Sequence, residues 1–320
     1  NCRNGMYPLS SKFSRTCLGW IPFSSGDILY GILILWIVFW LYKNRKVNWK
    51  IKSLSVLWFI SVAYFVFHVL WAFNYYRVPL FEKMTIQKEY SDAQLLDFTK
   101  KLIAKTNEIQ FQITKDTAKK VVSIYTQNQI FTHSITAYDE LSQQYSFFTY
   151  GVPSQKKSLF SYPLTYMGFG GYLNPFTNEA QVNAMIPMYN FPSIACHEMA
   201  HQMGYASESE CNFISFLAST SNEDLYFKYS GYSFALRYCL SNWEIRNPNV
   251  LKKLLKTIHP GVLKNYHESQ IFWESHQTFI ETGFKIFYDN FLKLNQQKDG
   301  LDSYSKFVDL MVNYYGNRNL

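Results

Sequence analysis

The chain has 320 residues, of which 48% are hydrophobic, 19% aromatic and 17% charged, with a net charge of +8. That is enough for one sizeable soluble domain plus a membrane part. After residue 80 the Lys and Arg residues are scattered among acidic ones and form no single block, which excludes a nucleic-acid partner from the expected functions.

Asn1 to Gly26 mixes Arg3, Lys12 and Arg15 with Pro8, Pro22 and an apolar patch at Leu18 to Phe23. From Ile28 to Tyr42 no residue is charged. At the rise of a helix this run spans roughly 23 Å, which reads as a short membrane helix. Ser53 to Tyr76 is the second uncharged run; it reaches roughly 36 Å and is long enough to cross with tilt. Trp71, Phe73, Tyr75 and Tyr76 at its end read as an interfacial aromatic belt, and His68 as a packed or interface-facing histidine.

Between the runs, residues 43–52 carry Lys43, Arg45, Lys46, Lys50 and Lys52 and no acid. Short basic loops face the cytoplasm, so Asn1 and everything after Arg77 are expected on the other side. The expected organisation is an extracytoplasmic segment over 1–26, two transmembrane helices over 27–76, and an extracytoplasmic domain over 77–320. The sequence does not begin with Met, so a signal or a further membrane helix is expected ahead of Asn1.

Ser91 to about Glu108 has helical periodicity behind a Ser91 cap, and Thr114–Gln127 and Thr136–Tyr145 read likewise. Phe147 to Phe160, broken by Gly151 and Pro153, reads as loop or short strand. Tyr166 to Pro175 is glycine-rich but lacks the Lys-Ser/Thr of a phosphate loop and the spacing of a dinucleotide site, which leaves a turn region. Glu179 to Pro187 alternates well enough for a strand. In zinc peptidases such a strand edges the cleft and pairs with the substrate backbone; an ordinary sheet strand is the other reading.

Phe191 to Asn212 carries the chemistry. Pro192 and Ser193 supply a helix start, Gly204 a stop, and His197-Glu198-x-x-His201 lies between them. Positions four apart share one helix face, so both imidazoles can meet a single metal ion with Glu198 beside it. Catalytic zinc takes three protein ligands and keeps a position for water. The next helix opens at Ser207 and offers Glu208 and Glu210. Ser207 with Glu210 reads as a capping box, which gives Glu210 a structural job and leaves Glu208 as third ligand, with Glu210 the alternative. Asn212, one turn beyond Glu208, reads as a group that steadies Glu208 or a histidine.

Beyond Asn212 the sequence predicts helix almost throughout: Phe213–Ser219 completing the ligand helix, then Asp224–Trp243, Asn249–Thr257, Leu263–Leu294 with a break near Gly283, and Tyr304–Tyr315. Pro248, Pro260 and Gly300 mark the turns. Of the five cysteines, Cys2 and Cys17 are a candidate disulfide, while Cys196 abuts a ligand and Cys211 sits on the facing helix. The fold class expected is mainly α with a small β-sheet: a transmembrane helical hairpin followed by a zincin-like metallopeptidase domain.

Four stretches carry a resemblance: Leu70-Trp-Ala-Phe-Asn-Tyr-Tyr-Arg77-Val-Pro79-Leu80; Gly168 to Asn183 with Asn174-Pro-Phe-Thr-Asn-Glu179; His197 to Tyr205 with Glu208-x-Glu210-x-Asn212; and Asn290 to Gly300 with Ser303-Tyr304. Together they resemble the bacterial membrane family catalogued as domain of unknown function 3810. The resemblance implies a membrane-anchored, gluzincin-like zinc peptidase of Gram-negative bacteria of the Bacteroidetes type, with no established substrate. Members of that family usually begin with one more hydrophobic helix.

The expected activity is metal-assisted hydrolysis of a peptide bond, with one zinc ion on His197, His201 and Glu208 and with Glu198 as general base and then acid. An oxyanion donor is also required; Tyr205, Tyr232, His267 and His276 are candidates, each of which also has a structural reading. The expected partners are a peptide or protein substrate and the lipid bilayer, at the inner membrane with the catalytic domain periplasmic. The rival reading is a catalytically inactive zinc-binding membrane scaffold or partner-binding protein, against which the intact Glu198 argues. In a third, HExxH is incidental in a membrane structural or transport component.

Overall fold

The computed structural model describes residues 6–294, 304–316 and 318–320. First come α1 (Met6–Leu18), α2 (Ser25–Lys43) and α3 (Trp49–Leu70), then a 3-10 turn at Ala72–Tyr76 and the one-turn α4 (Leu80–Lys83). Next follow α5 (Asp92–Thr114), α6 (Gln127–Gln144), β1 (Gln155–Lys157), α7 (Ser161–Tyr166), β2 (Gly171–Leu173) and β3 (Ala180–Val182). The rest is helical: α8 (Phe191–Gln202), α9 (Glu208–Ser221), α10 (Leu225–Arg246), α11 (Pro248–Leu255), α12 (Pro260–His276), α13 (Phe279–Leu294) and α14 (Tyr304–Tyr314). The protein is thus mainly helical with a small three-stranded sheet.

The two uncharged runs form α2 and α3, of 19 and 22 residues, both long and apolar enough to cross a membrane. Only Gly26 and Asp27 of α2 and no residue of α3 are buried, so neither is a core helix. Ile32, Leu35, Trp58 and Phe65 lie open along them, a contiguous apolar surface that water does not favour. Helix α3 begins at Trp49, ahead of the uncharged run, and ends at Leu70. Trp71 departs from the belt role: it is buried, edge-on to Tyr7 and His201.

The start of α2 is tied into the body. Glu179 accepts from the Gly26 and Ser25 N–H groups at 2.6 and 3.2 Å, placing a carboxylate at a helix N-terminus, where the dipole favours it. Asp27, itself buried, accepts from the Ser158 hydroxyl and the Leu159 N–H at 2.9 and 2.6 Å and from the Tyr172 hydroxyl.

The sheet has order β1-β3-β2, with β1 parallel and β2 antiparallel to β3. The strand expected over Glu179–Pro187 shrinks to Ala180–Val182, because the Asn183 side chain turns to Thr165 and the Phe169 carbonyl. Since β3 is central and buried, the ordinary sheet strand is the reading that holds; β2, inside the stretch read as a turn, is an edge strand. Tyr172 pairs with Gln181, and the Asn183 and Asn174 N–H groups bond the Gly170 and Glu179 carbonyls at 2.9 and 3.0 Å. Antiparallel alternation therefore points the Gly171 and Leu173 backbone groups away from β3.

The core gathers around α9, ten of whose fourteen residues are buried, packed by α6, α8, α10 and α14. Ser215 donates to the Ser193 carbonyl at 2.5 Å and Ser193 bonds Ser230 at 2.8 Å, so short polar side chains let α8, α9 and α10 approach closely with their hydroxyls satisfied. Helices α5 and α6 open with capping boxes, Ser91/Gln94 and Thr126/Gln129.

Three expected elements differ. Thr114–Gln127 is not a helix: Lys115 turns left-handed (φ 56°), and the Gln110 amide bonds the Asp116 and Lys119 carbonyls while Asn265 accepts from Val121 N–H. The break in the late helix falls at Gln277–Thr278, where the Thr278 hydroxyl accepts from Ile280 N–H; Gly283 is helical. Residues 1–26, read as a mixed segment, hold α1, whose Tyr7, Ser11 and Arg15 are buried against the body. Cys17 is exposed; its expected partner Cys2, the turn at Gly300 and much of the 290–304 stretch lie outside the described residues.

Candidate metal centre

Pro192 sits in the first turn of α8, where its missing N–H costs nothing, and Gly204 ends the helix region with φ +84°, a conformation that favours glycine. The turn between α8 and α9 folds the start of α9 back on His197 and His201. There the His197 Nε2 lies 3.2 Å from Glu208 Oε2 and the His201 Nε2 3.7 Å from Glu208 Oε1. One ligand atom from each of the three residues falls within 4.8 Å of the others.

Each imidazole is aimed by its far nitrogen. His197 Nδ1 meets Asn212 Oδ1 at 2.8 Å, and His201 Nδ1 meets the Tyr205 carbonyl at 2.8 Å. A carbonyl only accepts, so His201 Nδ1 carries the hydrogen and a neutral ring turns a lone pair toward Glu208. Asn212 Oδ1, likewise an acceptor, gives His197 the same orientation. Lone pairs facing a carboxylate repel unless a proton or a cation lies among them. Donors around a tetrahedral zinc stand roughly 3.3–3.5 Å apart, and these contacts bracket that spacing. Burial by itself would push Glu208 up; only when His201 and His197 are protonated does their charge hold its carboxyl well below the usual range, so with neutral rings the positive charge this corner calls for must come from elsewhere. The donor set therefore fits one divalent cation.

Glu198 stands next to the cluster, 3% exposed, and its Oε2 has no hydrogen-bond partner among the described residues. Burial pushes its pKa up to about 7, against the pull of His197 and His201. Strand β2 lies directly on it: a Cβ at Gly171 would stand 2.6 Å from Glu198 Oε1 and 2.6 Å from the Gln181 carbonyl, so only glycine fits.

Other expected residues take other places. Ser207 is the N-cap of α9 but makes no capping bond, and its hydroxyl meets Ser209 instead. Glu210, expected in that capping box, is corrected: its carboxylate accepts from the Leu80 N–H at 2.5 Å, at the start of α4. Tyr205 contributes its carbonyl to His201, while its hydroxyl receives Lys83 at 3.2 Å and its ring carries the Arg77 guanidinium. Tyr232 packs on Phe216 in the core, His267 is exposed, and His276 bonds the Phe272 carbonyl; none of them joins the cluster.

The groups that sequence reasoning missed come from far along the chain. The Tyr288 hydroxyl, on α13, donates to Glu208 Oε1 at 2.7 Å. From the other end, Tyr7 donates to the His201 and Gln202 carbonyls at 3.2 and 3.1 Å, and Arg77 to the Met203 carbonyl at 2.8 Å. The late helix was legible, but its register on Glu208 is a tertiary fact with no local signal. Helix α13 lies across the centre, with Phe284 and Tyr288 edge-on to Phe169 and with Phe291 against Phe67 of α3.

No curated protein and no solved structure matches the chain. Residues 3–312 match the model of a family described as "Protein of unknown function (DUF3810)". Because that match spans nearly all of the sequence, the helix pair with its two histidines and the two apolar helices included, the chain belongs to the DUF3810 family.

Proposed function

We propose that the protein is a membrane-anchored, zinc-dependent metallopeptidase. The observation that carries this reading is the convergence of two outward-turned imidazole nitrogens and the Glu208 carboxylate beside a buried, unpartnered Glu198 oxygen. His197, His201 and Glu208 hold the ion, which when bound acidifies a water and polarises a carbonyl. Glu198 takes the proton from the water and returns it to the leaving nitrogen; its carboxyl, raised by burial, is matched to both tasks near neutral pH. Tyr288 is the hydroxyl donor at the rim, the role for which Tyr205, Tyr232, His267 and His276 are misplaced. The outward backbone groups of Gly171 and Leu173 pair with an extended substrate, an added strand beside β2. Substrate entry requires α13 to move, since the cluster is nearly closed to solvent beneath it.

Residues 77–320 form the zincin-like domain, and α2 and α3 form a hairpin in the inner membrane. Its basic 43–52 loop faces the cytoplasm, which puts the centre on the periplasmic side. The docking of α1 against Asn178 and the His201 carbonyl supports a chain that leaves and re-enters the same compartment.

The test is metal content and a broad peptide-cleavage screen on the wild type and Glu198→Gln. Stoichiometric zinc in both, with cleavage reduced at least a hundredfold in the variant, is expected. Zinc without cleavage by either would turn the assignment to a metal-binding scaffold, and absence of zinc would end it.

A further inference from the structure

One helical turn before Glu198, α8 presents Ile194, and here the protein forms a cavity of about 230 Å³. Its walls come from Ile186, Ile194, Phe234, Tyr238 and Trp273, with the Arg237 side chain among them. The cavity adjoins the candidate centre through two glycines: Gly171 abuts Glu198, and a Cβ on Gly170 would stand 3.3 Å from the Ile194 side chain. Ile194 and Glu198 are about 6 Å apart along the helix axis, close to the span of two residues of extended chain. A substrate lying along β2 would therefore bring a side chain next to its cleaved bond over the cavity. The volume suits one large side chain and is too small for a whole drug-sized ligand.

Arg237 makes this cavity more than a greasy slot. Its neighbours one turn away on α10 are Ser233, Phe234, Leu240 and Ser241, with no acid among them. No ion pair among the described residues includes it, and the titratable groups it acts on are the neutral Tyr189 and Tyr266 hydroxyls. A guanidinium on an aromatic wall, without a carboxylate, is a ready receptor for one, because charge-assisted bonds to a planar fork are strong and directional. We propose that this cavity is a substrate-side-chain subsite and that Arg237 selects a carboxylate in it. The proposal rests on the peptidase reading for its place beside the cleaved bond. The recognised chemistry is an apolar stem ending in a carboxylate, supplied by an acidic side chain or by a free peptide C-terminus.

The experiment uses the full chain in detergent, stripped of metal by chelation, titrated calorimetrically with 3-phenylpropionate and with its neutral amide. The acid should bind at least roughly tenfold tighter, and Arg237→Gln should remove that preference while circular dichroism stays unchanged. Arg237→Lys should keep part of it, as a point charge without the fork. Equal binding of acid and amide, or a preference that survives Arg237→Gln, would overturn the proposal. Displacement by an amidated peptide with an internal glutamate assigns the carboxylate to a side chain, and displacement by a peptide with a free C-terminal phenylalanine assigns it to a chain end. Displacement by neither also overturns it. Because no metal is present, failure of zinc binding or of cleavage would sink the peptidase reading separately from this result.

Discussion

The Glu208 carboxylate is held from two sides by very different structures. On one side are α8, buried at every residue except Ile194, and α9, buried through most of its length. On the other is α13, sixteen residues long with only Leu292 buried, which reaches Glu208 through the Tyr288 hydroxyl. The first pair is fixed by close packing and by the buried hydrogen bonds that aim both imidazoles, so the histidines hold their geometry whether or not anything is bound. The second has few buried contacts and belongs to the part of a fold that opens most easily. The donors are thus pre-set by the core, while access over them is left to an element that contributes little to overall stability.

Four substitutions break or sharpen that contrast. His201→Ala removes one of three donors from the rigid side and should weaken zinc binding at least roughly a thousandfold, measured by competition with a chelating dye. Asn212→Ala leaves the donors but frees the His197 ring, and a loss of about 10–100-fold in the same assay is expected. Gly171→Ala pushes a methyl group against Glu198 and the Gln181 carbonyl. It should cost about 2 kcal/mol and lower the unfolding midpoint by roughly 4–8 °C. Tyr288→Phe should be the mildest, with thermal stability within about 0.5 kcal/mol of the wild type and unchanged zinc content. A midpoint drop as large as that of Gly171→Ala would show that α13 is part of the core after all.

How far this arrangement could be read in advance depends on the range of the interactions involved. That His197, His201 and Glu208 lie together follows from a helix period and one short turn, both written locally. The membrane-length helices were equally legible, since a run without charge needs no partner to be seen. Which strand forms the edge was not legible, because β2 and β3 are three residues each, too short for alternation to distinguish, and their order is set by pairing. Ser207 and Glu210 match a capping signature, but Leu80, far away in sequence, claims the carboxylate. The separate helix read over Thr114–Gln127 is absent because Lys115 turns left-handed at the end of α5 and the Gln110 amide holds the Lys119 carbonyl. Tyr288 and Tyr7 reach the centre from opposite ends of the chain, and nothing near either residue announces it.

The burial of Tyr7 and Trp71 behind His201 bears on how this protein can be handled. With Tyr7 on the His201 and Gln202 carbonyls and Trp71 edge-on to the imidazole, the residues before and after the apolar hairpin form the back wall of the histidine site. A fragment trimmed to begin at Arg77 would lose that wall and leave two peptide carbonyls facing a hole. The hairpin is therefore less a leash on a detachable domain than a clasp around it, and whatever bends the two apolar helices is felt one side chain away from the histidines.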